Sequence, residues 1–427
     1  MHRQYGDFVR MGPNQISIVN LDVFNKIHGP QTRCSKKHAG TYDINRFRGE
    51  YNLDTLTDNA LHRDRRKVWD QALNTKSLEG YESTTRAVIH DWLGRLDEVQ
   101  GLPIDTSLYA KLIPFDNMGR VGFSTDFATV KEGREDRMLR MIEISFDVVA
   151  RMGLVPWPLA FSQDLPRMGL QKEFEELAVR MTDMRIQADS EDKHDIMKFF
   201  LEDLHSEKPK TLKNINAVYA DAAAVLIGAT DTIACALGFL FYYLARDADL
   251  RQRLYDAIAP AYGKRTPGEF ACIDLQAIEF LDAVINETLR MNTSVPINGP
   301  RNTPPEGVEV DGTYIPGNVS VYTPLHLYHR SPKYFVQPDE FIPERWTTRP
   351  ELVLERRAFQ PFHFGRYDCV GKRLARNVIR LTAAYTLWHY DFAFAPGEDG
   401  KDFESRAQWK AIVKPGKLEC VFRKRER

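Results

Sequence analysis

Between Ala222 and Tyr243 the chain runs for 22 residues with a single charge, Asp231. A stretch of that length is enough to cross a bilayer. An acid at its midpoint is expensive in lipid, whereas a helix buried in the core of a large protein carries the same all-round apolar pattern. No second stretch of this kind occurs in the 427 residues, and one isolated span is better read as a core helix. The chain is therefore expected to fold around a central buried helix, as a mainly α protein with a minor β part, in a single domain over residues 1–427.

The rest of the pattern fits that class. Phe8–Met11 and Gln15–Val19 flank a Gly-Pro-Asn turn and read as a hairpin. Residues 21–29 read as a short helix closed by Gly29, and residues 30–56 as a long loop. Helical periodicity runs from Asn59 to about Leu96, from about 135 to 260, over Leu275–Met291 and over Gly371–Tyr390. Val155-Pro156-Trp157-Pro158 interrupts the middle stretch, and a charged linker is expected over 187–211. Pro, Gly and β-branched residues between Val295 and Trp346 predict short strands and turns, as do the last 30 residues.

Basic and acidic residues number 58 and 59, and the net charge of −1 offers no electrostatic footprint for nucleic acid. Small-molecule chemistry is the better expectation. The five cysteines, Cys34, Cys235, Cys272, Cys369 and Cys420, are odd in number, widely spaced and without a C-x-x-C pair. That argues against a disulfide framework and against a zinc ribbon. Residues 1–15 are polar and carry no signal-peptide core.

One cysteine stands in a distinctive setting. The run Phe362-His363-Phe364-Gly365-Arg366-Tyr367-Asp368-Cys369-Val370-Gly371 is irregular and leads directly into a strong helix beginning at Lys372. A cysteine at a helix N-terminus sees the positive end of the macrodipole and free backbone N–H groups, and both favour the thiolate. A lone cysteine is more often buried and inert, so Cys369 by itself decides nothing. The spacing F-x-x-G-x-x-x-C-x-G, however, resembles the haem-binding signature of the cytochrome P-450 family. By that resemblance Cys369 is the axial ligand of a haem b iron, and Phe362, Gly365 and Gly371 shape its loop. One position departs from the family pattern. Two residues before the cysteine the family carries an arginine for a haem propionate, and this chain has Tyr367, with Arg366 adjacent. A tyrosine hydroxyl can still donate a hydrogen bond there.

Further motifs in the same order support the resemblance. Glu287 and Arg290 form an E-x-x-R pair on one helix face, and Phe341-Ile342-Pro343-Glu344-Arg345-Trp346 is similar to the family's P-E-R-F/W segment. The implied role of Glu287, Arg290 and Arg345 is a buried structural triad. Gly228-Ala229-Thr230-Asp231-Thr232 puts a glycine and two threonines inside the apolar helix, which is poor helix chemistry; rule-breaking of this kind tends to mark functional sites. It resembles the family's oxygen-activation motif, with Ala229 where glycine is usual, and implies that Asp231 and Thr232 relay protons during dioxygen activation. The plain alternative is a threonine bonding back to its i−4 carbonyl. His62 and Arg66 are similar to the family's H-x-x-x-R propionate pair, and Arg301 to another propionate contact; these three are expected to compensate for Tyr367, and Arg366 is a further candidate for binding the cofactor.

The resemblance implies a monooxygenase of the fungal secondary-metabolism type. It would act on a hydrophobic or partly polar small molecule, using O2 and NADPH-derived electrons delivered by a separate flavoprotein reductase. The substrate-facing parts are expected at 36–57, 152–165, Ala224–Thr232 and Val295–Asn298. The family setting is the cytoplasmic face of the endoplasmic reticulum membrane, with membrane association expected only of a longer form, because the opening residues begin where relatives already have an anchor and a further helix behind them. Two alternatives stay open here: a haem-thiolate isomerase or lyase needing no external electrons, and a shortened, non-catalytic chain that binds haem poorly.

Overall fold

The computed structural model describes residues 1–36, 42, 46–152, 169–188, 193–209 and 214–426. The longer helices are α1 (Asn59–Ala72), α2 (Thr75–Val99), α3 (Thr106–Phe123), α4 (Arg137–Met152), α5 (Leu170–Gln187), α6 (Ile196–His205), α7 (Ile215–Arg246), α8 (Ala248–Ile258), α9 (Glu279–Met291) and α10 (Lys372–His389). The strands that matter below are β1 (Phe8–Gly12), β2 (Gln15–Ile18), β3 (Pro103–Asp105), β4 (Asn298–Asn302), β5 (Ser320–Thr323), β6 (Tyr390–Phe394) and β7 (Glu419–Lys424).

The apolar stretch is the centre of the molecule. It lies in α7, and 72% of its most apolar window is buried by the rest of the protein. Asn214 caps the start of α7 by accepting from the Ala217 N–H. Leu226, Leu237 and Phe241 of α7 are fully enclosed within one large cluster that also takes Val88 and Trp92 of α2, Leu112 and Phe115 of α3, and Val378 and Leu381 of α10. Burying a side chain of this size stabilises the fold by roughly 1.5–3 kcal/mol.

A second, smaller cluster lies under the first sheet and joins Ile18, Phe24, Val321 and Tyr328. That sheet has the strand order β1-β2-β5-β4. The expected hairpin is its edge, with Phe8 opposite Ile18, and β2 then pairs parallel with β5. The three-stranded sheet β3-β7-β6 closes the C-terminal end.

Two expectations are corrected. Residues 187–211 are not simply a charged linker, because α6 lies inside them. Asp195 caps this helix by accepting from the Lys198 N–H, and Ile196, Met197, Phe200 and Leu201 bury its apolar side. Four apolar residues among charges make a helical stripe that average composition conceals. Residues 21–29 do form a helical turn before Gly29, but Phe24–His28 is of the wider π type. The Pro/Trp segment at 155–158 lies outside the described residues.

Candidate active site

The cysteine loop is built by backbone bonds. The Cys369 N–H donates to the Phe362 carbonyl at 2.8 Å, and the Asp368 N–H donates to Gly365 at 3.2 Å across a 3-10 turn, Gly365–Tyr367. Gly365 has φ +78°, and a Cβ there would overlap the carbonyl oxygen of His28, so both conformation and space demand glycine. Gly371 is less constrained, since a Cβ there would meet only the Cys369 Sγ at 3.9 Å. The helix α10 begins at Lys372, three residues after the cysteine. Desolvation nevertheless pushes the Cys369 thiol up. The Gly371 N–H and the charges of Arg66 and Lys372 pull against it, and Asp368 adds to the upward shift. The Gly371 N–H at the helix start thus acts in the direction expected from sequence, against the desolvation, and a cation at the sulfur would favour the thiolate further.

A buried ionic cluster ties α9 to the segments between 329 and 352 that precede the loop. Glu287, Arg290 and Arg345 have fully enclosed side chains. The Glu287 carboxylate accepts from Arg290 Nε at 2.9 Å and Nη2 at 2.8 Å, from Arg345 Nε at 2.9 Å, from the Ile342 N–H at 2.9 Å and from Trp346 Nε1 at 2.9 Å. The arginines spend their remaining donors on backbone carbonyls. Arg290 reaches His329, Pro338 and Glu340, and Arg345 reaches Val336, Gln337, Leu352 and Glu340. A buried charge is tolerable only with this degree of satisfaction.

His329 carries the connection to the cysteine loop, and sequence reasoning missed it. Its Nε2 accepts the Gln360 N–H at 3.0 Å, which fixes the tautomer, so Nδ1 donates to Thr293 Oγ1 at 2.5 Å. Burial, with the Arg290 charge beside it, lowers the His329 pKa to about 3. Gln360 lies two residues before Phe362 in the chain.

Between the two ends of α7 the less-buried residues are Ala224, Ile227, Gly228, Ala229 and Thr232. Their spacing places them on one side of the helix, and a Cβ on Gly228 would meet nothing within 4 Å. This side therefore borders open space. The Thr232 hydroxyl donates back to the Gly228 carbonyl at 2.8 Å, while Ser294 Oγ donates to the Thr232 carbonyl at 2.8 Å. The back-bonding alternative thus holds for Thr232, and its hydroxyl oxygen keeps acceptor capacity besides. Asp231 is buried.

The third component is a group of buried nitrogen donors around Arg301. His62 and Arg301 are each 3% exposed. Arg301 comes from β4, where a bulge falls between Asn298 and Arg301. An odd spacing in a regular strand would send the two side chains to opposite faces, and the bulge removes that alternation. Asn298 bonds His363 and His28, and Arg301 lies close enough to lower the pKa of both histidines. No carboxylate pairs with Arg301 among the described residues. Its Nη1 donates to Tyr42 Oη at 2.6 Å and to the Gly299 and Pro300 carbonyls, and its buried Nε has no partner among those residues. The buried Nδ1 of His62 likewise has none. Burial, followed by the charges of Lys36 and Arg66, lowers the His62 pKa to about 3.

Three expected contacts take other partners. Arg66 donates to Asp70 and to the Asp368 carbonyl at 2.8 Å and pairs with the Asp368 carboxylate at 3.0 Å, so it straps α1 to the cysteine loop. These contacts use three of the five guanidinium N–H groups, so Arg66 keeps two for a propionate. Arg366 donates to the Pro30 and Thr32 carbonyls. The Tyr367 hydroxyl, expected to face a propionate, bonds Asn59 Oδ1 instead. The ring of Tyr367 is the feature that matters. His62 meets it edge-on with centroids 4.6 Å apart, and the Arg301 guanidinium lies 4.5 Å from its centroid.

Comparison with known proteins now decides the family. The cytochrome P-450 profile matches residues 1–421. The chain belongs to the cytochrome P-450 family. A cytochrome P-450 monooxygenase of Eupenicillium brefeldianum is 32% identical over 412 residues, covering 94% of this chain and 80% of that protein. Tryprostatin B 6-hydroxylase of Aspergillus fumigatus is 31% identical over 405 residues, covering 94% of this chain and 71% of the relative. A solved zebrafish cytochrome P-450 with abiraterone superposes with a TM-score of 0.77, covering 100% of this chain and 97% of the other at 17% identity, and so shares the fold.

Haem is the cofactor of this family, and the residues fit it. A porphyrin with two carboxylates needs buried hydrogen-bond donors, at least one of them charged, a thiolate donor and a flanking apolar wall. Arg301 Nε, His62 Nδ1, the Cys369 loop and the open side of α7 supply those features.

Proposed function

We propose that this chain is a haem-thiolate monooxygenase of fungal secondary metabolism, with Cys369 as the axial ligand. The observation that carries the reading is the Cys369 loop, pinned at Phe362 and turned at Gly365, in a chain of this family. When bound, the haem supplies the activation of O2, one atom of which enters a C–H or C=C bond while the other leaves as water.

The protein's own residues do the remaining work. Arg301 and His62 bind the haem carboxylates, and Arg66 acts with them while bracing Asp368. Phe362, Gly365, Arg366 and Gly371 keep the loop in shape. Thr232 holds a proton at Oγ1 beside the open side of α7, and Asp231 resupplies it. The Glu287–Arg290–Arg345 cluster keeps the loop's supports fixed. Electrons come from NADPH through a separate flavoprotein reductase, at the cytoplasmic face of the endoplasmic reticulum. Names among the relatives, such as tryprostatin B 6-hydroxylase, and the mixed lining from Ala224 to Thr232 support a mid-sized, partly polar metabolite as substrate.

The reduced, carbon-monoxide-bound absorption spectrum tests this, with Cys369→Ala alongside. A strongly red-shifted Soret band that the mutant loses is expected. An imidazole-type band in the parent protein overturns the assignment.

A further inference from the structure

We propose that Lys36 binds a haem carboxylate in this chain, supplying from outside the cysteine loop the positive charge that Tyr367 leaves out of it. The inference rests on the haem-thiolate reading above.

Lys36 has no place in the sequence motifs, yet its side chain is 2% exposed. A lysine this deeply enclosed is rare without a paired anion. One carboxylate stands beside it, that of Asp54 at 3.5 Å and 83% exposed, and it attracts both Lys36 and Arg301, so a single carboxylate faces two cations. The ammonium also donates to the Asp54 backbone carbonyl, which accounts for one of its three donors.

Its position matters more. The Lys36 Nζ lies 4.5 Å from the Tyr367 ring centroid and 4.9 Å from that of Tyr42. The Arg301 guanidinium is also 4.5 Å from the Tyr367 centroid and 5.9 Å from that of Tyr42. Two full positive charges therefore share the same two rings and lie within twice 4.5 Å of each other. Each cation–π contact returns roughly 0.5–2 kcal/mol, and the two like charges repel at low local dielectric. An anion bound between or beside them turns that repulsion into attraction. Among the described residues the same group holds two buried nitrogens with no hydrogen-bond partner, Arg301 Nε and His62 Nδ1. As the site stands, burial lowers the Lys36 pKa to about 8, with Arg301 adding to the fall and Asp54 opposing it; a bound carboxylate would oppose it further.

Tyr367 thus becomes intelligible. An arginine in its place would add a third cation to a space already holding Lys36 and Arg301. A phenol ring instead gives both cations a face to rest on, while its hydroxyl is anchored by Asn59. The loop has exchanged a charge for a platform, and the charge comes from Lys36.

The test compares the wild-type chain with Lys36→Met, Lys36→Arg and the double variant Lys36→Met/Tyr367→Arg. Two quantities are read: the rate of haem loss to excess apomyoglobin and the reduction potential of the haem. Lys36→Met is expected to lose haem about 10-fold faster, equivalent to about 1.4 kcal/mol. It should also shift the potential negative, because removing a nearby positive charge favours the more oxidised iron. Lys36→Arg should stay near wild type on both measures, and the double variant should recover toward it. Wild-type values in Lys36→Met overturn the assignment, and so does a double variant no better than Lys36→Met. If Lys36→Met emerges without haem, a loaded double variant supports the assignment and an unloaded one refutes it. A wild-type protein lacking the thiolate-type Soret band would instead overturn the haem-thiolate reading, and this one with it.

Discussion

Glu287→Gln is the substitution whose outcome follows most directly from the structure. The carboxylate accepts five hydrogen bonds, three of them from Arg290 and Arg345, and all three side chains are fully enclosed. A glutamine of the same shape keeps one acceptor oxygen and turns the other position into a donor, which then faces an arginine. Two buried guanidinium charges lose their counter-ion. Breaking a buried pair from one side costs about 3–5 kcal/mol, a large share of the roughly 5–15 kcal/mol that holds a typical domain folded. The variant should unfold at much lower denaturant concentration and carry little haem, as read by circular dichroism and by the Soret absorbance per protein. A control separates charge from geometry. Replacing all three residues by apolar ones removes the uncompensated charge, and in some proteins that restores stability. Here it should not, because the two arginines also serve the carbonyls of His329, Val336, Gln337, Pro338, Glu340 and Leu352. Each carbonyl left buried without a donor costs about 1–3 kcal/mol. A triple apolar variant as stable as wild type would refute the view that these arginines act chiefly as a scaffold for backbone.

Three further outcomes are expected. Gly365→Ala should cost about 2–5 kcal/mol, since it meets both an unfavourable φ and the His28 carbonyl; an unchanged denaturation midpoint would count against the close approach. Asp231→Asn and Thr232→Val should each lower product formation about 100-fold or more while leaving the carbon-monoxide spectrum in place; a variant with full turnover would remove that residue from the proton path. His329 should contribute to acid sensitivity. Its folded pKa is depressed to about 3 while the unfolded chain takes up the proton near 6.5, so its contribution is complete above pH 6.5 and falls by about 1.4 kcal/mol per pH unit until pH reaches about 3. His329→Gln should flatten the pH dependence of stability in that window, and identical slopes would exclude the residue.

What the sequence made legible depended on whether the information was local. The buried helix, the hairpin, the Glu287–Arg290 spacing and the cysteine loop are all written in residues close together in the chain. The linker at 187–211 was misread because four apolar side chains of α6 are outnumbered by charges when averaged, although they fall on one face. His329 and Lys36 had no motif to announce them. His329 matters because Arg290, Thr293 and Gln360 converge on it from three segments, and no pattern in one segment encodes that meeting.

Tyr367 shows how a motif position can be read wrongly even when the motif is right. From spacing the tyrosine is a lost charge, and the compensators expected for it are His62, Arg66 and Arg301, of which Arg301 does reach its ring. In the fold Arg366 is committed to the Pro30 and Thr32 carbonyls, and Arg66 to Asp70 and Asp368. The cations that reach Tyr367 come from residues 36 and 301, separated from it by 331 and 66 positions. Electrostatic compensation is set by distance in space, and a charge can be moved anywhere in the chain that the fold returns to the same point. A departure from a cofactor-binding motif is therefore better tested by asking which buried cations surround the altered side chain than by asking which charges stand next to it.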